Sequence, residues 1–270
     1  MYAISNGRVF YCTDSDIVNK KFERVFIMRQ KDFYYVCLDS AKCEVFTCGA
    51  TFTEFYEFIP YKPQNILLLK ADFWGGSWNQ NTGFEYVEKE HLKDLLEDNV
   101  YDYGDFCWVD FNKKSSIDEI TPVELSELLY ASHKFQPLES PFFDRLDNSY
   151  TYLAHDDDYW TRIYIKDINS YRKVIEGKIL KELKGRKRSI EPIPSNIIDF
   201  IYNSAKEGIL IDFTKTYFSG KSTGVRIYKI GRHVNYDQIH DMYERKQNCL
   251  NNNIVLDYTN KKWKIYGEWK

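Results

Sequence analysis

The 270-residue chain, with 43% apolar and 29% charged residues, is long enough to bury a substantial core without metal or disulfide staples, and its composition is neither that of a disordered chain nor that of a membrane protein. Its 37 Lys and Arg against 40 Asp and Glu leave a net charge of −3, which sets up no global field for nucleic acid or anionic lipid and disfavours nucleic acid as a partner. The longest apolar run, Ile66-Leu67-Leu68-Leu69, falls far short of the roughly 20 residues that cross a bilayer, and Met1 to Arg8 lacks a secretory pattern, so a soluble cytoplasmic protein that avoids the membrane is expected.

Residues 1 to about 75 read as strands. Arg8 to Cys12 is extended, Phe22 to Met28 alternates, and Phe33 to Leu38 and Cys43 to Cys48 follow after short polar turns. Strands joined by short turns predict an antiparallel meander. The run Ile66 to Phe73 lacks alternation, as in a strand buried on both faces. Farther along, Val87, His91, Leu92, Leu95 and Leu96 recur at helical spacing. Thr121-Pro122-Val123-Glu124 is a helix start, with Thr121 as cap, Pro122 at the first position and Glu124 reaching back. Ser149 to His155 and Tyr159 to Ile165 predict a hairpin around Asp156-Asp157-Asp158.

A helix over about 170–183 is followed by a basic, two-proline stretch, Arg186 to Pro194, which is extended and suits a linker. Ser195 is expected to cap a helix that stops at Gly208. Strands at Ile209 to Phe213 and Val225 to Ile230, a helix over 236–249 and a closing strand pair, Ile254 to Tyr258 and Trp263 to Tyr266, complete the chain. Local hairpins mixed with separate helices predict an α+β fold: an N-terminal antiparallel β-meander, then mixed helices and β-hairpins. The regions divide as 1–80 (β-rich), 81–188 (α+β) and 189–270 (α+β), the last two able to form one continuous domain.

Aromatic residues are the compositional deviation: 22 Tyr, 18 Phe and 6 Trp make 17% of the chain. Such side chains fill sheet faces well, and they are also the currency of protein interfaces. Abundant Lys, Asn, Ile and Tyr fit an AT-rich genome, such as that of a low-GC bacterium or its phage. The six cysteines, Cys12, Cys37, Cys43, Cys48, Cys107 and Cys249, contain no C-x-x-C pair and read as free thiols. Neither a metal site nor a cofactor is expected. Cys249 leaves pairing across a symmetric interface, and so a homo-oligomer, open.

Several segments resemble chemistry and are better explained by turns. Gly220-Lys221-Ser222-Thr223 ends like a phosphate-binding loop, but the required upstream glycine is Lys215 and the following residues are strand-like. His155, Asp156, Asp157 and Asp158 have the ligand types of a divalent-metal site, while Asp is equally a favoured turn residue. Asp72, Asp105, Asp110 and Asp212 are carboxylates at strand ends or flanking Cys107 and Trp108, without a visible partner. Lys178, Lys181, Lys184, Arg186, Lys187 and Arg188 form a basic patch suited to a helix C-terminus, with no stacking aromatic beside it.

Phe73-Trp74-Gly75-Gly76-Ser77-Trp78 is the most unusual segment. Its two indoles either fold back as a lid on the core or stand out as an anchor. The resulting expectation is a non-enzymatic protein-binding protein of immunity or anti-defence inhibitor type. It would mask another protein in the bacterial or phage-infected cytosol, using Trp74, Trp78, Arg186, Lys187 and Arg188. Two alternatives stand beside it: a metal-dependent phosphoesterase or nuclease with His155, Asp156 and Asp158 as catalytic groups, and a small-molecule or carbohydrate binder using Trp74 and Trp78.

Overall fold

The structure is a computed structural model that describes residues 2–5, 8–11, 32–98, 100–102, 104–133, 137–155, 159–184, 189–219, 222–245 and 252–269. Strands β1 (Tyr2–Ser5) and β2 (Arg8–Tyr11) pair antiparallel in a sheet of their own. Twelve others build one antiparallel sheet. They are β3 (Phe33–Asp39), β4 (Glu44–Cys48), β5 (Asn65–Lys70), β6 (Ser77–Trp78), β7 (Glu85–Val87), β8 (Phe106–Phe111), β9 (Tyr150–His155), β10 (Trp160–Ile165), β11 (Ile209–Ser219), β12 (Ser222–Lys229), β13 (Asn253–Thr259) and β14 (Lys262–Tyr266). Their spatial order is β14-β13-β12-β11-β3-β4-β10-β9-β8-β5-β7-β6.

The α+β class and its antiparallel pairing are therefore as read from the sequence. The first region distributes its strands more widely than a run of adjacent hairpins would. β3 and β4 sit side by side in the middle of the sheet, but β5 is separated from β4 by three strands and lies between β8 and β7. The physical reason is a helix between them, α1 (Phe52–Phe58), opened by a capping box in which Thr51 Oγ1 accepts from Glu54 N–H and Glu54 Oε2 accepts from Thr51 N–H. The strand expected over Phe22 to Met28 lies outside the described residues, as do Cys12 and Cys249. Cys37, Cys43, Cys48 and Cys107 are not joined in disulfides.

Period-two alternation sends side chains to two faces, and helices cover both. On one face Val36, Leu38, Trp108, Ile163 and Ile211 join a single core with α1 and three further helices, α2 (Leu92–Asp98), α5 (Arg172–Lys184) and α6 (Ser195–Ala205). The opposite face has two smaller cores. One packs Leu67, Val109 and Leu153 against Ile117 of α3 (Ser115–Asp118) and Leu128 of α4 (Pro122–His133). The other packs Tyr35, Phe46 and Leu210 against Ile239 and Tyr243 of α7 (Tyr236–Glu244). β5 is thus buried on both faces, as its unbroken apolar run predicts, and the α4 capping box forms between Thr121 and Glu124.

Much of the aromatic surplus is core filling. Phe52 is ringed by Phe106, Tyr101, Tyr152 and Trp108 at centroid distances of 4.9, 5.4, 5.5 and 5.6 Å, and Trp108 stacks on Tyr152 at 5.3 Å. Such pairs add about 0.5–1.5 kcal/mol each beyond their buried area. Where α5 crosses α1, Gly177 is required: a Cβ there would stand 2.2 Å from the Phe58 ring. Beside it the buried Lys178 donates to both oxygens of Glu54 at 3.0 and 2.9 Å. Lys178 therefore belongs to a helix–helix ion pair and not to a surface that could meet nucleic acid.

Two local details differ from expectation. Pro194, not Ser195, occupies the N-cap position of α6, without a side-chain cap, and Ser195 is the first helical residue. Proline's extended backbone turns the chain into the helix there without a hydroxyl. Residues 189–194 lie in neither helix nor strand, and Ile190 and Ile193 are buried in the large core. Gly208, at φ +79°, ends the turn after α6, and a Cβ there would meet Gly231 O at 1.9 Å.

Candidate functional site

The Trp74–Trp78 segment is built by events at the end of β5. The β5–β8 register slips between Leu68 and Lys70, and Ala71 takes φ +135°, so the chain leaves the sheet sharply. Phe73 then turns inward and is buried. Its N–H donates to Glu85 Oε2 at 2.9 Å, and its carbonyl accepts from Gly76 N–H at 2.9 Å. Gly75 and Gly76 allow this turn to close over Phe73. A Cβ on Gly75 would lie 2.6 Å from the Phe73 ring, and one on Gly76 3.0 Å from Phe73 O.

With Phe73 taking the inward position, its neighbour points out. Trp74 is fully exposed, and Trp78, on the edge strand β6, is 63% exposed. Of the two alternatives for these rings, the structure has the outward one. The backbone beyond Trp78 is held as firmly as that before it. Asn79 Oδ1 accepts from the N–H groups of Asn81 and Thr82 and from the Thr82 hydroxyl at 2.9–3.1 Å, and its Nδ2 donates to Asp118 Oδ1 at 2.8 Å. Asn81 Nδ2 donates to the same oxygen at 3.0 Å. Two large apolar groups are thereby presented to solvent on a hydrogen-bonded frame.

The other residues singled out from the sequence fall differently. Asp156, Asp157, Asp158, Arg186, Lys187 and Arg188 lie outside the described residues. His155 ends β9 and is buried, its ring 4.5 Å from that of Trp160 and its Nδ1 3.4 Å from Asp105 Oδ1. Burial pushes its pKa down, partly opposed by Asp105. Asp105 also meets Lys70 at 2.5 Å. Among the described residues no three His, Cys, Asp or Glu side chains gather in a way that could hold a metal ion.

Around Gly220 the flanking residues pair as Ser219↔Ser222 between β11 and β12, so a strand stands where a phosphate-binding loop needs a helix. Asp72 is exposed. Asp212 is buried, with Oδ1 accepting from the Thr214 N–H at 3.1 Å.

Asp110 is the acid whose surroundings the sequence least revealed. It is buried near the end of β8, and its Oδ1 accepts from the N–H groups of Ser149 and Tyr150 at 2.9 and 2.6 Å. Burial nevertheless pushes its pKa up to about 7. Among the described residues no helix is long and apolar enough to cross a membrane. No protein-family model, curated protein or solved structure matches the chain, and the site's meaning rests on its own residues.

Proposed function

We propose that this chain is a protein-binding protein that docks its partner through Trp74 and Trp78. The observation that carries the reading is the pair of exposed indoles on a loop fixed by Glu85, Asn79 and Asp118. Tryptophan is the side chain most enriched among residues that dominate binding energy, and a rigid loop loses little entropy on docking. The loop projects at a sheet edge, which suits insertion into a concavity of another protein.

The narrower reading is a non-enzymatic inhibitor of immunity or anti-defence type that masks its partner in a bacterial or phage-infected cytosol. It draws on the balanced charge and on the Lys-, Asn-, Ile- and Tyr-rich composition. The test is paired capture from the native cell with the wild-type chain and with Trp74→Ala/Trp78→Ala. A stoichiometric protein retained by the first and lost by the second, at unchanged thermal stability, is the expected result. Equal retention by both would remove the tryptophan loop from the function.

A further inference from the structure

A cavity of about 740 Å³ opens where the ends of β8 and β9 meet α2 and the loop after α1. Its walls are unlike those of an ordinary surface dimple. Tyr56, Leu92 and Leu96 supply apolar surface, Lys89 and Lys93 supply exposed cations, and the lining includes the buried residue Asp110. A third lysine, Lys62, is already engaged: its Nζ donates to the carbonyl oxygens of Tyr56, Glu57 and Ile59 at the end of α1. Lys93 Nζ lies 3.5 Å from Glu97 Oε1.

We propose that this cavity binds a small anion carrying an apolar ring, with Lys89 and Lys93 at the charged end, Tyr56, Leu92 and Leu96 against the ring, and Asp110 hydrogen-bonding from within. The proposal is independent of the tryptophan loop. Two features of the site argue for an anion. The lysines outnumber the one acid lining the cavity, and that acid is held where its neutral form is accessible: with its carboxyl proton on, Asp110 is a donor toward a ligand acceptor. Both amides it accepts from reach Oδ1. The apolar walls argue for a ring, because small-molecule sites combine apolar lining with a few placed polar groups.

The charged and titratable groups around Asp110 set its response to pH. They are Lys62 from the loop after α1, Lys89 and Lys93 from α2 and its approach, Lys166 after β10, and the phenols of Tyr150 and Tyr61. Asp147 pairs with Lys166 at 2.9 Å, and Asp167 acts on Tyr150. With the Asp110 pKa near 7, a rise from pH 6 to pH 8 converts the carboxyl from mostly neutral to mostly ionised and places a negative charge beside the bound anion. Affinity then falls with rising pH, by up to about tenfold if only the neutral form binds.

The test is calorimetric titration of the full chain with naphthalene-2-sulfonate, whose charge is constant over this range, and with uncharged 2-naphthol. Saturable one-to-one binding of the sulfonate, at least about tenfold tighter than the naphthol, is expected at pH 6. Lys89→Ala/Lys93→Ala, both changes at exposed positions, should abolish that preference, and Asp110→Asn should bind equally at pH 6 and pH 8. Absence of saturable sulfonate binding, or binding indifferent to the double lysine change, overturns the proposal. Should Asp110→Asn fail to fold, the lysine variant still decides. Should it fold and keep the pH dependence, the role given to Asp110 is wrong.

Discussion

Tryptophans stand at both edges of the twelve-stranded sheet. Beside β14, Trp263 donates its indole N–H to Glu191 O at 3.0 Å and Trp269 donates to Ser204 Oγ at 2.9 Å, with the Trp269 ring stacked 6.1 Å from Phe200. Beside β6, Trp74 and Trp78 face outward while Phe73 is buried in their place. Trp263 follows the strand period and so falls on the core face opposite Tyr258. Trp74 is expelled by a glycine turn that admits only one inward aromatic. The same residue type is structural where backbone periodicity dictates its direction and presentational where a turn reverses it.

The strongest way to break this contrast is to truncate one tryptophan at each edge. Trp263→Ala should cost about 3–5 kcal/mol of stability by leaving a cavity and an unpaired Glu191 carbonyl, whereas Trp74→Ala should stay within about 0.5 kcal/mol of wild type. Urea unfolding of both variants reads the difference, and equal losses would erase it. Next in size, Trp74→Ala/Trp78→Ala should weaken the isolated partner's affinity by at least about 2 kcal/mol, roughly thirtyfold, without changing the denaturation midpoint.

Glu85→Ala sharpens the comparison by attacking the frame and not the rings. Losing the carboxylate that holds the Phe73 amide should cost about 1–3 kcal/mol, seen as faster hydrogen exchange at Phe73 and a smaller affinity loss than the double tryptophan change. An unaltered Phe73 amide would mean that the loop is held some other way. The smallest effect is optical. Acrylamide should quench Trp74 and Trp78 ahead of Trp263, so the double variant should lose the most readily quenched part of the emission.

The strands at β3, β9, β10, β13 and β14 were legible because alternation or unbroken apolar runs persist over five or more residues. Helix α1 was not: Phe52, Phe55, Tyr56 and Phe58 read as strand-forming aromatics, although Thr51-x-x-Glu54 carried the capping-box signal. The Trp74–Trp78 segment stood out in the sequence, but the direction of its rings did not. That direction depends on which of three aromatics Gly75 and Gly76 let fold inward. Asp110 was visible only as a lone acid, since the amides that fix it come from about 40 residues away, and no local pattern encodes a partner at that distance.

The central place of β3 and β4 has a consequence for how the chain reaches this state. Residues 33–48 can form a hairpin early, but its outer edges are closed only by β10 and β11, whose pairing segments end at Tyr164 and Asp212. During synthesis at roughly 5–20 residues per second, that hairpin spends on the order of ten seconds with both hydrogen-bonding edges unpaired before β10 emerges. Closure of these long loops, and not formation of any single helix, should then limit the folding rate. In that interval the nascent hairpin is open to strands of other chains, so yield on refolding should fall as concentration rises.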